Sequence, residues 1–366
     1  MGNRLELSIC IPCYNGGDKV VECVKHILTY RGDDIEVVVS DNASQDNAID
    51  KLREIKDERL KIFINDENIG PLRNWYAALS RGNGRYVMLL QDNDMLVVEN
   101  LPKYLCFLRR VNFDIIKNAY NNREQVSKAI TGAQCQYFGK IFSHVSYQTY
   151  RGAVIKELKP LECSFDKEFC AYPSCIWDMQ ILQKYNINRK SVYINGNIEI
   201  TKLLKKGNNS RTREYVTKKT SSYTFENAMY LFDRSVKVLK KLYNNKKDFL
   251  KLYLYLYMGD LLMGTLCFYE CMNDPYIKRR YQIEVKEEDI DYLGLNNIFL
   301  DHAKENLVMK EGLNKKIVCL KLDIITLRNR LLFKLNHVYE RKFTNWYYFW
   351  GCVVNKILKV TLDVIL

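Results

Sequence analysis

Four short apolar runs in the first ninety residues, each separated from the next by a segment of helical spacing, constrain this chain more than any other feature. They are Leu-Ser-Ile-Cys-Ile-Pro at 7–12, Ile-Glu-Val-Val-Val-Ser at 35–40, Leu-Lys-Ile-Phe-Ile at 60–64 and Tyr-Val-Met-Leu-Leu at 86–90. Each has the length and β-branched content of a buried strand. Between them, Val20, Val21, Val24, Ile27 and Leu28 recur at helical intervals over 19–30, and helices are expected again at 46–56 and 71–81. Strands alternating with helices at this spacing build a mostly parallel sheet covered by helices on both faces. In such sheets, ligands bind beyond the carboxyl ends of the strands. The polar segments Cys13–Asp18, Asp41–Ser44, Asn68–Pro71 and Gln91–Asp94 all fall there.

The rhythm loosens after residue 100. A helix is expected at 101–110, mixed strand and loop from 113 to about 150, a Cys- and aromatic-rich segment at 160–177, a helix at 178–186 and a strand near 191–200. From about 215 to the end the pattern is helical, dominated by a Tyr-rich stretch at 223–271 and another at 313–366. The polar segment at 205–215 marks a boundary. The expected organisation is an α/β domain over 1–210, with a ligand-binding half at 1–100 and a second half at 101–210, followed by a helical domain over 211–366.

Composition narrows the function. The chain of 366 residues has 47% apolar and 27% charged residues, which excludes a wholly disordered or multi-span membrane protein. Its net charge of +13 raises nucleic acid as a partner. The sequence has no zinc-finger, RRM or helix-turn-helix signature, so no nucleic-acid partner is expected. Gly16-Gly17 does not make the G-x-G-x-x-G of a dinucleotide dehydrogenase. The first residues lack the apolar core of a signal peptide, and twelve scattered cysteines read as reduced, buried small hydrophobes, so a cytoplasmic location is expected. Cys10-x-x-Cys13 has no matching second pair, and four distant histidines do not make a zinc centre.

The chemistry is expected at Asp92-Asn93-Asp94, directly after an apolar strand. Two carboxylates two residues apart form a hard oxygen site suited to Mg²⁺ or Mn²⁺ bridging a diphosphate. Asp41 also ends a strand, where an acid can accept hydrogen bonds from a base or ribose. Taken in order, Ser8-Ile9-Cys10-Ile11-Pro12-Cys13-Tyr14-Asn15, Val38-Val39-Ser40-Asp41-Asn42-Ala43-Ser44, Asn68-Ile69-Gly70 with Arg73-Asn74, Gly84-Arg85-Tyr86-Val87 and Asp92-Asn93-Asp94 resemble family 2 glycosyltransferases of the GT-A fold. Within that family the resemblance is to bacterial surface-polysaccharide enzymes of the abequosyltransferase-like sort. It covers about residues 6–100 well, thins over 101–210 and stops there.

The resemblance implies an inverting transfer from a nucleotide-diphosphate sugar, a UDP-sugar before others, to a hydroxyl of a lipid-linked or polysaccharide acceptor. Protein or small-molecule acceptors and a non-catalytic GT-A partner subunit are the alternatives. A broken D-x-D would mark the last, and this one is intact. By the same resemblance, Pro12, Tyr14, Asn15 and Asn68 line the nucleotide pocket, Asp41 contacts the base and Arg73 sits near the nucleotide. Asp92 and Asn93 approach the ribose or sugar, and Asp94 holds the metal together with Asp92. The acidic base is assigned to Asp178, within Trp177-Asp178-Met179-Gln180, where the family's usual Glu-Asp reads Trp-Asp; Asp166 and Glu168 are reserves. A carboxylate is needed there to take the acceptor hydroxyl's proton. A basic loop containing Lys205, Lys206, Arg211 and Arg213 is placed to close over the diphosphate, or to remain a solvated loop.

Most of the net charge is concentrated at and beyond the start of the helical third. Residues 201–247 hold 13 Lys and Arg against Glu214, Glu226 and Asp233. Residues 249–269 are apolar enough to raise a membrane span, but Lys251, Asp260 and the tyrosines favour a helix buried in the protein. The aromatic and basic segment at 346–366 fits either peripheral contact with the anionic inner face of a cell membrane or packing against a second subunit.

Overall fold

A computed structural model describes residues 5–92, 94–118, 127–141, 146–165, 174–202, 225–273, 292–306 and 313–338. The chain divides into two compact units, one of 1–132 with 142–208 and one of 133–141 with 209–366.

The first unit is built on an eight-stranded mixed sheet. Its strands are β1 (Leu7–Cys13), β2 (Ile35–Asp41), β3 (Leu60–Ile64), β4 (Tyr86–Leu89), β6 (Ile115–Asn118), β7 (Lys128–Ile130), β8 (Thr149–Arg151) and β9 (Val192–Asn195), in the order β3-β2-β1-β4-β8-β6-β9-β7. Strands β3, β2, β1 and β4 run parallel, β8 is antiparallel to β4 and β6, and β9 is parallel to β6. A short antiparallel pair joins β5 (Met95–Leu96) to β10 (Thr201–Lys202). Every residue of β1 and β2 is buried, which is why both read as continuous apolar runs rather than alternating ones.

Helices α1 (Gly17–Ile27), α2 (Ala48–Arg53) and α4 (Leu101–Arg110) cover one face. There Val20, Val24, Leu52, Tyr104 and Leu108 pack with Leu7, Ile9, Ile11, Val37 and Val39. Helix α3 (Pro71–Arg81) lies on the other face, starting at the expected Gly-Pro step, with Gly70 at φ 83°. The end of the sheet away from the strand-end loops is closed by charge. Glu36 accepts hydrogen bonds from the Ser8 hydroxyl at 2.6 Å and the Asn83 N–H at 2.6 Å, and Arg85 pairs with Glu6 at 2.7 Å.

Two expectations beyond residue 100 change. The segment at 113–150 also holds a helix, α5 (Gly132–Ile141), besides its strands. The helix expected at 178–186 is α7 (Ser174–Gln183), so Asp178 sits in its second turn and does not open it. A further short helix, α6 (Gly152–Glu157), follows β8.

The second unit is helical, with α8 (Phe225–Leu242), α9 (Lys246–Asn273), α10 (Tyr292–Glu305) and α11 (Lys315–Val338). The Tyr-rich stretch breaks after Leu242, where Asn245 caps α9 by accepting the N–H groups of Lys247 and Asp248 at 2.9 and 3.1 Å. Several of its tyrosines are core. The Phe232 ring meets those of Tyr253, Tyr257 and Phe299 at 5.5–5.7 Å, and the Tyr257 hydroxyl shares a 2.7 Å hydrogen bond with Thr326. Among the described residues, no helix is long and apolar enough to cross a membrane.

One glycine fixes the β1–β4 pairing. A Cβ on Gly84 would come within 2.6 Å of the Ser8 backbone nitrogen and 2.7 Å of the Tyr86 carbonyl oxygen. Because backbone cannot swing aside, Gly84→Ala is expected to destabilise the fold by about 1–3 kcal/mol. A lower urea midpoint at unchanged slope checks this.

Candidate functional site

The parallel strands β3, β2, β1 and β4 deliver four loops to one edge of the sheet. The loop after β1 carries Pro12, Cys13, Tyr14 and Asn15; Pro12 is buried and Tyr14 is exposed. Asn15 adopts a left-handed backbone (φ 50°), as does Ala43 (φ 58°) in the loop after β2. Asn and a small residue tolerate this conformation, and it lets the two loops bond to each other. The Asn15 N–H donates to the Ser44 hydroxyl at 2.8 Å, the Gln45 N–H donates to Asn15 Oδ1 at 2.8 Å, and the Gly17 N–H donates to Asp46 Oδ2 at 2.8 Å.

Asp41 closes β2 with its carboxylate buried. Oδ1 accepts the Ser44 hydroxyl at 2.5 Å and Oδ2 accepts the Ser44 N–H at 3.0 Å. Behind it lies a polar network. Asn74, from α3, donates to the Ser40 carbonyl at 2.9 Å and the Cys13 carbonyl at 3.4 Å, while its Oδ1 accepts from Ser40 Oγ at 2.6 Å and Asn65 Nδ2 at 3.1 Å. Asn42 extends the network, accepting from Asn65 Nδ2 at 3.1 Å and the Ile69 N–H at 3.0 Å, and donating to Asn68 Oδ1 at 2.8 Å. Arg81 completes it on Ser40 Oγ at 2.5 Å and Asn65 Oδ1 at 2.7 Å. Asn42, Asn65 and Asn74 were not singled out as site residues from the sequence; each looks like an ordinary turn or helix residue until the cross-loop bonds are seen.

Strand β4 stops at Leu89, and the acid pair follows in a turn closed by the Asp94 N–H on the Gln91 carbonyl at 3.0 Å. Helix α1 ties this segment down. Cys23 Sγ contacts the Asp94 carbonyl at 3.4 Å, and His26 Nε2 lies 3.0 Å from the Leu96 carbonyl. The buried thiols register the acids. Burial first, then Asp92 and Asp94, pushes Cys23 up to about 12. Burial first, then Asp92, Asp41 and Asp46, pushes Cys13 far above the usual thiol range. Asp41 stands opposite Cys13 in the β1–β2 register, Asp46 accepts the Gly17 N–H just after β1, and the Leu90 N–H on the Cys10 carbonyl sets the end of β4 alongside. Asp92 and Asp94 offer hard carboxylate oxygens, the donor type a divalent cation takes. Among the described residues, no group of three or more His, Cys, Asp or Glu side chains is arranged to hold an ion.

Arg73, in the first turn of α3, is exposed and paired with Glu162 at 2.5 Å, its guanidinium 4.5 Å from the centre of the Phe165 ring. From Phe165 an aromatic series runs through Tyr76 at 6.4 Å to Trp177 at 5.9 Å, next to Asp178. Asp178 itself lies beneath the second half of the sheet. It is 2% exposed, and its Oδ2 is 2.5 Å from Lys117 Nζ on β6. Burial raises its affinity for a proton, while Lys117 and Tyr150 pull the other way. The sequence reading missed Lys117, whose only local signal is a lysine after Ile115-Ile116 inside a strand. Asn93, Lys206 and Arg211, together with Lys205, Arg213, Asp166 and Glu168, lie outside the described residues.

The Asn74 network makes a local prediction. Asn74→Ala strips partners from two buried carbonyls and from Ser40 and Asn65, and should cost about 1–3 kcal/mol of stability. Chemical denaturation checks it, and unchanged stability would contradict the network's role.

Residues 8–160 match the family model for Glycosyl transferase family 2. Among curated relatives, the chain is 27% identical to abequosyltransferase RfbV of Salmonella typhimurium, covering 38% of this chain and 51% of the relative. It is 25% identical to the UDP-Glc:alpha-D-GlcNAc-diphosphoundecaprenol beta-1,3-glucosyltransferase WfgD of Escherichia coli, covering 36% and 53%. The chain spans between about a quarter and a half of the length of the curated relatives it matches. Among solved structures, it resembles S. aureus TarS 1-349, in complex with UDP-GlcNAc, with a TM-score of 0.55 and 13% identity over 94% of this chain and 92% of that one, a likeness of fold. The strand-end loops and the sheet order thus agree with these matches: the fold is of the GT-A type, and residues 8–160 are similar to the Glycosyl transferase family 2 domain.

Proposed function

We propose that the chain transfers a sugar, with inversion, from a nucleoside-diphosphate sugar, UDP-linked before GDP- or dTDP-linked, to a hydroxyl of a lipid-linked or polymeric surface glycan. The observation that carries this reading is the meeting of strand-end loops at one edge of the sheet, where Asn15 bonds Ser44 at 2.8 Å beside the buried Asp41 carboxylate and the Gln91–Asp94 turn follows β4. Pro12, Tyr14, Asn15 and Asn68 border the nucleotide, Asp41 and its Ser44 partner face the base, and Arg73 exchanges Glu162 for the donor. Asp92 and Asp94 would hold Mn²⁺ or Mg²⁺, which when bound screens the negative charge that gathers on the departing diphosphate.

In the transfer, the acceptor hydroxyl oxygen bonds to the anomeric carbon on the face opposite the phosphate oxygen. That carbon–oxygen bond breaks as the nucleoside diphosphate leaves, and the hydroxyl proton passes to the Asp178 carboxylate. Burial supports Asp178 in this role, because a carboxylate of raised proton affinity is a stronger base.

A thermal-shift series with UDP-, GDP- and dTDP-sugars, with and without Mn²⁺, tests the site, since a ligand bound to the folded state raises its melting temperature by mass action. One UDP-sugar should stabilise the wild type in a Mn²⁺-dependent way, and Asp94→Ala should lose that dependence. Equal shifts in both proteins would remove Asp94 from metal binding.

For the helical unit we propose peripheral contact with an anionic membrane. The segment expected to make this contact, 346–366, lies outside the described residues; within them, exposed Ile317, Leu320, Leu327 and Leu331 share one face of α11 at three- and four-residue steps and their sums, flanked by Lys316 and Lys321. Leu320→Glu/Leu327→Glu should lower co-sedimentation with phosphatidylglycerol vesicles at low salt. Undiminished binding would refute the assignment.

A further inference from the structure

We propose that Lys117 is a positioning residue that keeps the Asp178 carboxylate ionised within the core of the first unit, so that it can receive a proton. This rests on the reading of Asp178 as the base. Lys117 Nζ stands 2.5 Å from Asp178 Oδ2, and the two side chains are 1% and 3% exposed. The ammonium also lies 6.0 Å from the centre of the Tyr150 ring. The lysine is fixed by the sheet. Strand β6 is paired on one side with β8, Ile115 opposite Tyr150, and on the other with β9, Lys117 opposite Ile194. The ionisable groups facing Asp178 are therefore Lys117 from β6 and Tyr150 from β8, and α7 carries no other charged residue.

The physical case turns on what each group would do alone. A carboxyl group buried without a cation keeps its proton at neutral pH. A protonated Asp178 has no capacity to accept another from a sugar hydroxyl. A cation in contact restores the carboxylate. The pair has no evident value as a stabiliser, because two buried charges repay their lost hydration only in part, and apolar residues of similar volume would serve the core as well or better. A lysine at the centre of a sheet is thus explained by the charge state it imposes on its neighbour.

The test reads that charge state directly, in the full chain and without substrate. Infrared difference spectra are recorded between each protein and the same protein carrying Asp178→Asn. At neutral pH the wild type and Lys117→Arg should lose carboxylate bands, whereas Lys117→Met should lose a protonated carboxyl band. On titration, the Lys117→Met midpoint should lie about one to three pH units above wild type, the effect of removing an opposite charge in contact. Tyr150→Phe should move the midpoint the same way by less, and it decides the matter if Lys117→Met does not fold. An unmoved midpoint in Lys117→Met, or in Tyr150→Phe when it alone folds, overturns the assignment. The base reading is judged separately, by release of UDP from UDP-glucose and UDP-N-acetylglucosamine with Mn²⁺. Wild-type release by Asp178→Asn would end that reading and leave the infrared result standing. An unmoved midpoint would end the Lys117 assignment and leave the base in place.

Discussion

The amide of Asn74 is the interaction on which the strand-end loops depend. From one helix it reaches the carbonyls of Cys13 and Ser40, and it also engages the Ser40 hydroxyl and the Asn65 amide. Parallel strands bring their loops to one edge but do not fix those loops relative to one another. A buried amide with both ends occupied does. Asn42, Asn65 and Arg81 then carry the constraint outward to Asn68 and Ile69. Low dielectric makes such a network strong when complete and costly when broken, so it acts as a single rigid part. The Asn15–Ser44–Asp41 contacts rest on that part.

The first unit joins two kinds of buried charge. Around the end of β1, burial first and then Asp92, Asp41 and Asp46 raise the Cys13 thiol, and the Asp41 carboxylate is held by Ser44. Under the second half of the sheet, Asp178 has a cation of its own in Lys117. The series from Arg73 through Phe165, Tyr76 and Trp177 runs from the first region towards the second along α3 and α7. In the proposed reaction the first region takes the nucleotide-sugar and the second supplies the proton acceptor for the attacking hydroxyl.

The parts of this arrangement legible in the sequence are the parts made of local pattern. Strands β1, β2 and β4 are buried along their whole length and so appear as continuous apolar runs, while β3, partly exposed, still shows its Ile-Phe-Ile run, and the Gly70-Pro71 step sets the start of α3 to the residue. The start of α7 was not legible, because Ser-Cys-Ile-Trp-Asp-Met-Gln-Ile-Leu-Gln is apolar on most sides and carries little helical period. Helix α5 was missed within a stretch read as strand and loop. Long-range polar contacts leave no local trace. Asn74 and Ser40 are 34 residues apart. The partner of Asp178 comes from a strand far earlier in the chain. In the helical unit the stretch at 249–269 reads as a buried helix, and Tyr253 and Tyr257 are indeed packed against Phe232, because an aromatic body buries well when its hydroxyl finds a partner such as Thr326.

The central claim is that the carboxyl ends of β1, β2 and β4 form the nucleotide-sugar site. A crystal structure grown with UDP and Mn²⁺ tests it most directly. The account predicts the uridine beside Asp41 and Tyr14, with the metal shared between the diphosphate and Asp94. A nucleotide bound elsewhere on the chain, or a metal at a site without Asp94, would contradict it.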